Sequence, residues 1–233
     1  MEKFIKQGQI IVGLDFDNSQ SAFEITKLLN PENYKVKVGN QLFTACGPQI
    51  LEDLKKQGFD IFLDLKYRDT PNTVEKAILE ACKQNVWMTN IHLSGGINMI
   101  EAAVNAKNSI SSEILLIGVT VLTSLDQKDL TDIGVTNDLR DQIISLINLG
   151  KRGGIDGIVC SPNDLAYLNK EEINSFITVC PGIRVKAESG GQKRTSTIHD
   201  AINMGADYLV VAREIISSSD PLKVINEIDS YFI

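Results

Sequence analysis

The chain of 233 residues is 43% apolar and 23% charged, with 17 glycines and 6 prolines, a composition that excludes disorder, collagen-like repeats and low-complexity scaffolds. Acidic residues outnumber basic ones, 30 against 23, and the formal charge of −7 leaves no basic footprint for a nucleic acid or an anionic membrane. The longest apolar stretches, such as residues 114–117, fall far short of the roughly 18 residues that a bilayer span needs.

In chain order, short runs rich in Val, Ile and Leu predict strands at 9–15, 34–38, 61–66, 87–93, 114–121, 157–161, 176–180 and 208–212. Amphipathic patterns between them predict helices at 21–29, 48–57, 72–85, 98–106, 138–149, 164–168, 196–204 and 221–231. Ser21 before Ala-Phe-Glu and Pro71 after Thr70 read as helix starts. Residues 124–136 read as an extended loop or an extra helix. Strands alternating with helices mean βαβ units and a parallel sheet, which a doubly wound open sheet or a closed barrel satisfies. Eight strand–helix pairs in a chain of this length favour a single (β/α)8 TIM barrel over residues 1–233, with no composition break to mark a second domain. The opening MEKFIKQGQIIVGLDFD meets Asp15 and Asp17 before an apolar core forms, which predicts a cytoplasmic location. Cys46, Cys82, Cys160 and Cys180 are scattered without a C-x-x-C pair and read as buried structural thiols.

Barrel chemistry sits at the C-terminal ends of strands. Asp15 closes the first predicted strand, Lys37 the second, Asp64 and Lys66 the third and His92 the fourth; Thr123 follows the fifth and Arg213 the eighth. Solvent at strand ends accounts for one or two polar residues there, and less well for seven. In the third strand Ile61, Leu63 and Leu65 share one face, while Phe62, Asp64 and Lys66 share the other and point inward, with the charges at the mouth. Asp69 follows in a turn. Carboxylates around Lys66 favour its protonated form, which suits stabilising and then protonating a carbanion rather than forming a Schiff base. Between the seventh and eighth strands, Gly190-Gly191, a Thr195-Ser196 helix cap and Arg213 suggest a phosphate site, and residues 185–194 read as a mobile lid. His199 reads as an exposed helix residue, and His92 as an inward-facing neighbour of the reacting groups. With no P-loop, Rossmann glycine motif or metal constellation, neither a metal nor an organic cofactor is expected.

The segments GLDFD, KVGNQLF, LDLKYRDTPNTV, NIHLSGG, VTVLTS, GIVCS, PGIR, GQKR and DYLVVARE run in that order along nearly the whole chain. Together they closely resemble the orotidine 5′-phosphate decarboxylase family. The resemblance implies cofactor-free conversion of orotidine 5′-phosphate to UMP and CO2, with Lys66 as proton donor to C6 and Asp64 beside the departing carboxylate. It implies that Lys37 and Asp15 order the charge network and the ribose hydroxyls. Thr73 and Thr123 match ribose and pyrimidine contacts, and Arg184, Gln192 and Arg213 match phosphate and lid contacts, with Ala212 beside the phosphate. It also implies a homodimer in which each subunit lends Asp69, and Thr73 with it, to the other's site. Pro71 restricts Thr70 to an extended conformation, which lets Asp69 reach past its own barrel mouth. The chain departs from the family pattern at Thr70, usually Ile, and at Ala212, usually Gly. Two other readings remain at this point: a metal-assisted sugar-phosphate decarboxylase or lyase on the same scaffold, and a module that only binds a phosphorylated nucleoside.

Overall fold

The computed structural model describes residues 4–111, 113–185 and 196–233. Eight parallel strands close into a barrel: β1 (Ile10–Gly13), β2 (Tyr34–Gly39), β3 (Ile61–Tyr67), β4 (Met88–His92), β5 (Leu115–Val119), β6 (Gly157–Val159), β7 (Ile177–Cys180) and β8 (Tyr208–Val211). Each pairs with its sequence neighbours, and β8 closes against β1 with Ile11 opposite Val210. The open-sheet alternative is thereby set aside.

Period-two alternation divides the strands into two faces. Outward residues such as Val12, Val36, Leu63, Ile91, Leu116, Ile158 and Leu209 join the larger core beneath the surrounding helices. Inward residues Ile11, Phe62, Met88, Ile117, Val179 and Val210 form a separate packed plug across the barrel interior. Truncating a plug residue such as Phe62 to Ala would cost about 3–5 kcal/mol, because the surrounding strands cannot collapse onto the void. One step nearer the C-terminal ends, the inward positions become Gly13, Lys37, Asp64 and Asn90, so an apolar floor carries a polar mouth. At the opposite end Lys35 pairs with Asp60 and lies over the Trp87 ring, whose edge meets Tyr208.

Helices follow the predicted pattern with local differences. The first is Ser19–Thr26, capped by Asn18, whose side chain accepts the Ser21 N–H; Ser21 therefore lies inside the helix. Pro71 opens Pro71–Lys83 as read from the sequence. Within 124–136 a helix forms at Gln127–Asp132, stabilised by a reciprocal Asp126/Asp129 capping box. Helices at Asn40–Cys46, Lys170–Asn174 and Arg213–Ile216 were not read from the sequence, since four to seven residues carry too little periodicity. Ile183–Arg184 and Ser196–Thr197 pair as a small second sheet, and Thr197 caps Ile198–Asn203 in place of the Thr195-Ser196 expected. Cys82, Cys160 and Cys180 are buried and Cys46 is half-buried; a hydrogen bond to Cys180, together with burial, holds the Cys160 thiol well above its ordinary pKa.

Candidate active site

The C-terminal mouth of the barrel holds a cavity of about 790 Å3. Asp15, Lys37, Asp64, Lys66, Thr123, Arg184, Ala212 and Arg213 all line it, so eight of the eleven residues singled out in the sequence converge on one space. Its walls are apolar: Val119, Val121, Leu122, Pro181, Ile183 and Ile216 surround the polar groups.

Four charged side chains alternate in sign across the mouth. Asp15 Oδ1 lies 3.1 Å from Lys37 Nζ, which lies 3.3 Å from Asp64 Oδ2; Asp64 Oδ1 lies 2.6 Å from Lys66 Nζ. The first and third strands thus supply carboxylates to a lysine of the second that stands between them. Asp64 is nearly sealed from solvent, its side chain 9% exposed, whereas that of Lys66 is 28% exposed and reaches the open space. Burial alone would oppose the charge on Asp64, yet Lys37 and Lys66, with hydrogen bonds from Lys66 and Asn90, hold its carboxyl below the usual range. Burial likewise opposes the charge on Lys37, and the Asp64 and Asp15 carboxylates outweigh it, so its pKa rises. Both groups are therefore ionised at neutral pH.

Lys66 owes its aim to a local break in β3. The register against β4 shifts between Leu63 and Tyr67, and Lys66 adopts a φ of 52°, in the left-handed region that non-glycine residues avoid. Such a conformation costs on the order of 1–3 kcal/mol and persists where neighbours over-determine it. Asn90 is that neighbour. Completely buried on β4, it accepts the Lys66 backbone N–H at 2.8 Å and donates through Nδ2 to Asp64 Oδ1 at 2.7 Å. Asn90 was not singled out in the sequence, although it shares the inward face of β4 with His92 and two-residue spacing places it there. Burial lowers the His92 pKa, as do Lys66 and Arg68, so this ring is neutral beside the array. His199, exposed, stacks edge-on against Phe4 and hydrogen-bonds Asn203, well away from the cavity.

Two expected site residues among those described, Asp69 and Thr73, are not brought in. Asp69 is exposed; its carboxylate accepts the Thr70 N–H at 2.6 Å, and within one chain it does not join Lys66. Thr73 is also exposed, its hydroxyl 3.0 Å from that of Thr70. Gln192 lies outside the described residues, as do Gly190, Gly191, Thr195 and almost all of the segment read as a lid.

The end of the cavity expected from the sequence to meet a phosphate carries Arg184, on the small second sheet, and Arg213, which opens the helix after β8. Ala212 sits at φ −129°, where a side chain is not strained by handedness. Room for its methyl comes from Gly13: a Cβ built there would lie 2.8 Å from the Ala212 Cβ. The departure from glycine at 212 is thus accommodated across the β1–β8 seam. No group of three or more His, Cys, Asp or Glu side chains suited to a metal ion occurs among the described residues, and none of their helices is long and apolar enough to cross a membrane.

Comparison with known proteins follows the same lines. The profile of the orotidine 5′-phosphate decarboxylase / HUMPS family matches residues 8–228. Orotidine 5′-phosphate decarboxylases of Marinomonas sp. (strain MWYL1) and Hydrogenovibrio crunogenus are each 44% identical over 223 residues, covering 95% of this chain and 95% and 94% of theirs. The crystal structure of orotidine 5′-phosphate decarboxylase from Lactobacillus acidophilus superposes with a TM-score of 0.83 at 32% identity, covering 97% of this chain and 99% of that one. An uncharacterized conserved protein from Geobacillus kaustophilus gives 0.81 at 30% identity, covering 96% and 100%.

Proposed function

The chain belongs to the orotidine 5′-phosphate decarboxylase / HUMPS family, and we propose that it converts orotidine 5′-phosphate to uridine 5′-monophosphate and CO2 without a metal or organic cofactor. The observation that carries this reading is the Asp15–Lys37–Asp64–Lys66 chain of alternating charge on an apolar, walled cavity.

Arg184 and Arg213 bind the phosphate, and Asp15 and Lys37 take the ribose hydroxyls, with Thr123 on the pyrimidine. The C6 carboxylate then lies beside Asp64, a like charge that Lys37 and Lys66 keep ionised. As the C6–C bond breaks, its electron pair stays on C6 and CO2 departs. Negative charge develops within reach of the Lys66 ammonium, which is fixed in place before the reaction begins. Lys66 Nζ passes one proton to C6, forming the C6–H bond, and the amine regains a proton from solvent. Binding energy at the distant phosphate orients the ring for this step.

Lys37 favours this reading over a metal-assisted one. It stands at the end of β2, its ammonium 3.3 Å from Asp64, so a cation of the chain's own already neutralises the carboxylate that a divalent ion would use. The full site is a shared one: Asp69 and Thr73, exposed beside the mouth of their own barrel, serve the site of a second copy in a homodimer. The 233 residues act as one barrel unit, working in the cytoplasm on a small-molecule substrate. The test is spectrophotometric: wild-type protein removes the absorbance of orotidine 5′-phosphate, and Lys66→Ala loses many powers of ten in turnover while still binding phosphate ligands. A Lys66→Ala variant retaining a tenth of wild-type turnover overturns the assignment.

A further inference from the structure

One carboxylate in the cavity has no role in the chemistry above. Glu214 stands in the first turn of the helix Arg213–Ile216 and lines the same space as Arg184 and Arg213. Its Oε1 lies 3.8 Å from Arg184 Nη1, and its Oε2 accepts the backbone N–H of Val185. Both side chains are largely shielded, 23% exposed for Arg184 and 17% for Glu214, so salt screens them weakly.

We propose that Glu214 is a specificity-determining anion in the phosphate subsite, sharing Arg184 with the incoming phosphate and holding down the affinity for phosphorylated ligands. The inference rests on the reading that Arg184 and Arg213 take a phosphate. A main-chain donor anchors the Glu214 carboxylate, so an arriving dianion meets that charge rather than sweeping it aside. Arg184 must then divide its guanidinium between two acceptors, and the like charges repel in a poorly screened space. The consequence is directed at charge alone. Glu214 weakens substrate and product together, which lowers uniform binding and eases release of a phosphorylated product. A ligand without phosphate is not affected, because Glu214 sits beside Arg184 and Arg213 rather than beside Lys66.

Titration calorimetry with inorganic phosphate, uridine 5′-monophosphate and uridine tests this on wild-type protein and Glu214→Gln. The amide matches the carboxylate in shape and keeps an acceptor for Val185 while removing the charge. Inorganic phosphate and uridine 5′-monophosphate are expected to bind about tenfold tighter to the variant, which corresponds to about 1.4 kcal/mol. Uridine binding is expected to stay the same. Glu214→Ala, which also removes the charge, gives the same direction and takes the place of the Gln variant if that one fails to fold. Equal or weaker phosphate binding in the variant overturns the inference, because Glu214 would then position Arg184 rather than compete for it. A matching gain for uridine overturns it as well. If wild-type protein binds uridine 5′-monophosphate but does not decarboxylate orotidine 5′-phosphate, the proposed function fails while a tighter-binding Glu214→Gln still upholds the anion.

Discussion

Replacing Asn90 with alanine removes both hydrogen bonds that its side chain makes from β4 to β3. The Asp64 carboxylate loses a hydrogen bond from Nδ2 at 2.7 Å, and the Lys66 backbone N–H loses its acceptor at 2.8 Å. A bond to a charged group contributes about 1.5–3 kcal/mol and an orphaned buried donor costs about 1–3, so the two sum to roughly 2.5–6 kcal/mol. For a chain of this size each kcal/mol lowers Tm by about 2–4 °C, which predicts a fall of roughly 5–24 °C. The kinetic effect has a separate origin. Lys66 holds a left-handed φ of 52° only because its N–H is fixed. Once released, it relaxes toward extended backbone and carries Nζ away from the space over Asp64. A displacement of this order in a reacting group costs about 100-fold in turnover. Circular dichroism melting and loss of orotidine 5′-phosphate absorbance measure the two effects on one preparation. A variant that melts within about 2 °C of wild type and turns over within about threefold of it would refute the idea that Asn90 holds the bulge and aims Lys66.

Gly13→Ala places a Cβ 2.8 Å from that of Ala212, and overpacking of this kind costs about 1–3 kcal/mol. Ala212→Gly in the same chain should recover most of that loss in thermal melting, and an unchanged loss in the double variant would show that the seam is not where the clash falls. Mixing inactive Lys66→Ala with inactive Asp69→Ala and allowing subunits to exchange should restore activity, since one site of the heterodimer then carries neither lesion. A mixture that stays inactive would place Asp69 in the site of its own chain or outside the reaction.

The eight strands were legible because each is a short apolar run between turn signals, and the inward face of β3 could be counted off residue by residue. The charged array followed from strand ends, with Asp15, Lys37, Asp64 and Lys66 reaching one cavity as their positions suggested. Asn90 was not legible, because a neutral amide inside an apolar strand has no signature until its partners on β3 are known. The left-handed Lys66 was hidden for a related reason: residues 61–66 scan as unbroken extended strand, and the register shift against β4 is a property of the pair of strands. Glu214 was passed over because one more acidic side chain after a strand looks like solvent-facing charge until it is found against Arg184. Ser21 suits a helix start by residue type, yet the cap is Asn18, three residues earlier, whose side chain accepts the Ser21 N–H.

In the proposed reaction the protein breaks the C6–C bond of orotidine 5′-phosphate and returns a proton to C6 through Lys66 without a metal ion. Its most direct test is turnover in heavy water after exhaustive treatment with a chelator, with the product read by proton NMR. Undiminished activity, one CO2 released per product and deuterium at C6 of uridine 5′-monophosphate are the predicted result. Activity lost on chelation and restored by a divalent metal ion would contradict the account and move the chemistry from Lys66 to a metal.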